Sequence, residues 1–128
     1  MRRTLLAAVG AISLAGAAGA QDDTGARLYF NHCAACHGDN GEADGPVAAT
    51  LRTTVPNLRA LAQRNNGTFP SDAVRSYIDG RELKAAHGDR QMPIWGDVFR
   101  GPEQGTAQRT VRRRIDALVA FISMLQYR

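Results

Sequence analysis

The stretch "NHCAACHGDNG", residues 31–41, holds both cysteines of a 128-residue chain, Cys33 and Cys36, with His37 directly behind them. Residues three apart on a helical turn lie on one face. The spacing therefore predicts two thiols side by side, with an imidazole projecting next to them.

The chain opens "MRRTLLAAVGAISLAGAAGA": two arginines, an apolar run from Leu5 to about Ala15, then Ala18, Gly19 and Ala20. That order predicts a secretory signal peptide over residues 1–20, cut after Ala20. The apolar run is shorter than the roughly 20 residues of a spanning helix, so stable membrane insertion is not expected. Removing 20 of the 128 residues leaves a single domain of 108, residues 21–128, and losing Arg2 and Arg3 leaves 14 basic against 12 acidic side chains. That balance gives no support to nucleic-acid binding, which requires an extended basic stripe. A domain this short buries a modest core, and such domains often depend on a disulfide, a metal or a prosthetic group.

Three chemistries use two cysteines at this spacing. Disulfide exchange at a helix start belongs to folds of alternating strands and helices, and no segment here shows a strand-like period of two. A structural zinc site needs separated ligand sets, and only His32 and His87 remain to supply a fourth ligand. Covalent haem attachment fits all three residues. Cys33 and Cys36 reach two vinyl groups on one edge of a porphyrin as thioethers, and His37 becomes the proximal iron ligand.

The rest of the chain is expected to wrap that group with helices alone. Residues 23–32 begin with an Asp-Thr capping pair and carry Leu28, Tyr29 and Phe30. A glycine-rich loop covers 38–45, a short apolar helix 47–51, and "VPNLRAL" opens a third. "FPSDAVRSYIDG" reads as a helix capped by Ser71 and ended by Gly80. In "TVRRRIDALVAFISMLQYR", Val111, Ile115, Leu118, Ile122 and Leu125 recur at spacings of four and three, which predicts an amphipathic helix capped by Thr110 and running to the chain end. The fold class is all-α.

A second axial ligand is expected on the loop "RQMPIWGDVF". Pro93 disfavours helix at Met92 and presents its thioether from an extended segment, whereas Met124 lies inside the last helix and reads as core filling. His32 and His87 read as solvated residues. Arg112, Arg113 and Arg114 read as a solvated helix face. Tyr77 and Arg81 are candidate donors to haem propionates.

The chain resembles the small soluble class I c-type cytochromes of the bacterial periplasm. "GARLYFNHCAACHGDNG" is similar to their first helix and haem-binding turn, "LVAFISML" to the helix that crosses it, and "MPIWG" to their distal loop. The resemblance implies a cytochrome c fold around one covalently bound haem c, with a Gly25–Phe121 contact where the terminal helices cross. It implies His37 and Met92 as axial ligands, Trp95 as a pocket wall, and a proline carbonyl on His37, with Pro56 preferred to Pro46. It also implies a periplasmic one-electron carrier, a monomer without enzymatic activity, which meets a redox donor and acceptor transiently. The alternative is a haem-bearing subunit of a periplasmic dehydrogenase or sulfur-oxidising complex.

Overall fold

In a computed structural model that describes residues 19–82, 91–100 and 107–128, helix α1 (Gly19–His32) packs along helix α6 (Ala107–Met124). Between them lie α2 (Ala34–His37), α3 (Leu61–Arg64), α4 (Ser71–Asp79) and α5 (Trp95–Val98), with 3-10 turns at Ala48–Thr50 and Leu58–Ala60. Among the described residues there is no strand, so the expected all-α class is the one found. Apart from Gly19 and Ala20, the expected leader lies outside the described residues, as does His87.

The apolar spacing of α6 explains why it is the central element. Val111, Ile115, Leu118 and Ile122 are all buried, joined by Val119. They meet Tyr29, Cys33 and Ala34 from the α1–α2 side and Val74 and Ile78 from α4. Burying such side chains stabilises the fold by about 1.5–3 kcal/mol each.

The crossing of α1 and α6 is as tight as a glycine permits. A Cβ at Gly25 would run into the carbonyl oxygen of Ala117 and lie 2.9 Å from Cβ of Phe121. The ring of Phe121 packs on Tyr29, centroids 5.2 Å apart. Gly25→Val should lower stability by about 1–3 kcal/mol, because the obstacle is helix backbone that cannot rotate away. A thermal or denaturant melt reads the loss, and an unaltered midpoint would place the crossing elsewhere.

Several helix ends differ from expectation. Helix α1 is continuous through Asp23 and Thr24, and α6 begins at Ala107, so neither the Asp-Thr pair nor Thr110 caps a helix. Helix α6 stops at Met124, short of the chain end. Pro70 occupies the N-cap of α4, with Ser71 one place inside and no side-chain cap. Gly80 does end α4, in the left-handed conformation that glycine adopts without steric cost. Met124 is 56% exposed rather than core filling. It lies two residues beyond buried Ile122, which at about 100° per residue puts it on the opposite face.

The close of α4 ties three elements together. Arg81 donates to Asp79 in a two-pronged ion pair, with Nη2 at 2.6 Å from Oδ2, and reaches Gln108 Oε1 on α6 at 2.9 Å. Gly96 of α5 packs on this pair so closely that any Cβ would strike Asp79 and Arg81. The hydrogen bond from Arg81 holds the Asp79 carboxyl below its ordinary value of 3.8. A depressed carboxylate contributes stability that is fully present above that value and lost as pH falls through the folded one. Asp79→Asn should therefore cost about 1 kcal/mol at neutral pH and progressively less below pH 4, as a series of melts across that range would show.

Candidate functional site

The two thiols and the imidazole sit on one continuous turn. Cys33 N–H donates to Tyr29 O at 2.8 Å and His37 N–H to Cys33 O at 2.9 Å, so α2 continues α1 past a break at Cys33. Cys33 and His37 are buried and Cys36 half-buried, and both thiols are free. Burial, followed by the neighbouring Cys36, pushes the Cys33 thiol up to about 12.

The glycine-rich loop folds back over this turn. Gly38 and Gly41 take positive φ, and a Cβ on Gly45 would collide with the backbone of Ala34, Ala35 and Cys36. Tyr29 Oη donates to Gly38 O at 2.7 Å inside the fold. Its hydroxyl, desolvated there, stays protonated well above the usual phenol range.

His37 is oriented from the far side of that loop. Its Nδ1 lies 3.3 Å from the carbonyl oxygen of Pro56. A carbonyl only accepts, so Nδ1 carries the proton and Nε2 keeps the lone pair. Burial lowers the imidazole's pKa, against a smaller opposing effect of the Pro56 carbonyl, and so favours the neutral ring that a metal ion requires. The Pro46 segment is placed differently: Val47 N–H is bonded to Ala35 O on the outer side of α2.

Met92 is half-buried and packs against the core, as do Leu58, Leu61, Phe69 and Trp95. It lies in a non-helical segment before α5, whose N-cap Ile94 is extended. Gln91 Oε1 accepts from Thr53 N–H at 2.9 Å and ties this segment to the chain just before Pro56.

Two neighbours escaped the sequence reading. His32 is half-buried, its ring 5.2 Å from Trp95 and 5.3 Å from Phe99, with Trp95 stacked on Phe99 at 5.5 Å. The solvated reading of His32 is thus corrected. The interval of four between Trp95 and Phe99, one helical turn, was the available signal. Arg81 is committed to Asp79 and Gln108, and Tyr77 is 58% exposed.

These groups suit a haem attached through sulfur. The chain offers paired free thiols, an imidazole whose Nε2 keeps its lone pair, a thioether on a non-helical segment, and apolar side chains only partly buried by protein. Among the described residues, no cluster of three or more histidine, cysteine or acidic side chains could hold a bare metal ion. No helix there is long and apolar enough to cross a membrane. No curated protein and no solved structure matches the chain. The family model for cytochrome c matches residues 23–126, nearly the whole length from α1 to the tail. The chain belongs to the cytochrome c family, whose members bind haem c covalently and carry electrons with it.

Proposed function

We propose that the protein is an exported one-electron carrier with a single haem c, attached through Cys33 and Cys36 and ligated by His37 and Met92. The observation that carries this reading is the Cys33–His37 turn with Nδ1 of His37 directed at the Pro56 carbonyl. When bound, haem c supplies a ferrous–ferric couple. His37 and Met92 would both bind its iron, which would keep small molecules off the metal and favour electron transfer over catalysis. A thioether ligand favours the ferrous state, and an apolar surround disfavours the extra charge of the ferric state. The carbonyl on Nδ1 works the other way, by making the imidazole a stronger donor. The leader-like residues 1–20 support passage to the periplasm. A free carrier would meet donor and acceptor through small, short-lived interfaces.

Visible spectra of the exported protein, oxidised and reduced, together with the mass of the denatured chain, test this reading. One haem retained through denaturation and a low-spin spectrum with a thioether band are expected. A chain of unmodified mass would overturn it.

A further inference from the structure

The last residues of the chain have left helix α6, yet they are bonded on every side to the segment that follows Pro56. Gln126 uses its whole side-chain amide there: Oε1 accepts from Ala62 N–H at 2.9 Å, and Nε2 donates to Leu58 O at 2.8 Å and to Ile122 O at 2.9 Å. Tyr127 N–H donates to Arg59 O at 3.0 Å, and Arg59 Nε donates to Leu125 O at 3.1 Å. The Arg59 guanidinium lies 4.4 Å from the centre of the Tyr127 ring and pairs with Glu42 at 2.8 Å. Glu42 also accepts from the Tyr127 hydroxyl at 3.3 Å, and Leu58 N–H donates to Gly41 O at 2.7 Å. Residues 57–62 are thus clamped between the chain's end and the loop over the Cys33–His37 turn.

The clamp begins one residue after Pro56. The carbonyl of Pro56 and the N–H of Asn57 share one rigid peptide plane, so the direction of that carbonyl is set by how Asn57 is held. Asn57 is held at several points. Its Oδ1 accepts from Arg59 N–H at 2.9 Å, its carbonyl accepts from Arg64 Nη2 at 2.7 Å, and its Nδ2 reaches the Tyr127 hydroxyl at 3.4 Å. The bond it aims, His37 Nδ1 to Pro56 O, is 3.3 Å and sits near the long limit for N–H donors. A small rotation of the plane would break it.

We infer that the tail Leu125–Tyr127, acting chiefly through Gln126, is a positioning strap that holds the Pro56 carbonyl on His37 and thereby sets the reduction potential. The inference rests on His37 being the proximal ligand. Hydrogen bonding at Nδ1 strengthens the imidazole as a donor and favours ferric iron. Loosening the strap therefore raises the potential while both thioethers and Met92 stay in place. Gln126 is a positioning residue, since its side chain bonds Ala62, Leu58 and Ile122 and acts on His37 only through them.

The test uses the haem-loaded protein. Gln126→Leu removes all three bonds. Gln126→Asn, the milder variant, adds no charge and draws the amide back by one methylene from Ala62, Leu58 and Ile122, which preserves a folded sample if the first variant is poorly stable. Tyr127→Phe keeps the ring under Arg59 and the backbone bond but removes the hydroxyl that reaches Asn57 and Glu42, and serves as the graded variant. Readouts are the midpoint potential, solvent exchange of the His37 Nδ1 proton by NMR, and the thioether band. A higher potential and faster exchange in both Gln126 variants, with a smaller change in the same direction for Tyr127→Phe and the band intact in all three, are expected. A lower melting temperature with unmoved potential and exchange would reduce the tail to a merely structural element. Absence of iron-shifted His37 resonances in the parent would overturn the ligand assignment and the strap together, a result distinguishable from failure of the strap alone.

Discussion

A Cys33→Ala, Cys36→Ala double mutant is expected to lack both covalent haem and a cooperative fold. The fully buried core is small and centred on α6: Tyr29, Phe99, Ile115, Leu118 and Val111 are its largest fully enclosed members. Around it, Leu58, Leu61, Phe69, Met92 and Trp95 are only partly covered by protein. A fully buried side chain of this size contributes about 1.5–3 kcal/mol, so a group completing their burial adds an amount comparable with the whole stability of a small domain, about 5–15 kcal/mol. Removing the thiols removes the means of retaining that group. Far-ultraviolet dichroism during a thermal melt, with the mass of the denatured chain, reads both consequences. A compact haem-free mutant that melts cooperatively would show that the core suffices alone.

Much of this arrangement was legible because it is local. The period of α6 fixed its buried face, the glycine after Asp79 marked the end of α4, and the spacing of Cys33, Cys36 and His37 put three groups on one turn. Where local reading failed, the deciding contact was distant or the wrong rule was applied. Met124 was read from the habits of methionine, although its two-residue offset from Ile122 already placed it on the outer face. His32 looked solvated because nothing nearby in sequence covers it, and the cover comes from Trp95 and Phe99, more than 60 positions away. The bonds between Gln126 and Leu58 or Ala62 join residues 68 and 64 positions apart and leave no periodic trace. Helix starts were misplaced for a related reason: Thr24 and Thr110 lie inside helices whose extent is decided by packing of α1 on α6, not by their own capping preference.

Met92→Ala is expected to change the iron's chemistry while leaving haem attached. The thioether stands on a non-helical segment bound to Thr53 through Gln91, and its half-buried position belongs to the apolar border of the core. An alanine there cannot reach a metal. Loss of a soft sulfur ligand removes a preference for ferrous iron, so the potential should fall by an appreciable part of the roughly 0.8 V range that axial ligands span. The weak sulfur-to-iron charge-transfer band at the red end of the oxidised spectrum should vanish, and the reduced protein should bind carbon monoxide. The denatured chain should keep its haem mass, since Cys33 and Cys36 are untouched. Two controls separate ligation from packing. Met124→Leu changes a side chain that is 56% exposed, so it should keep the band and alter stability by no more than about 0.5 kcal/mol. His87→Ala, at a position outside the described residues, should leave the spectrum as it is. If Met92→Ala retained both band and potential, the sulfur on the iron would have to come from elsewhere, and the argument for a closed site dedicated to electron transfer would fail with it.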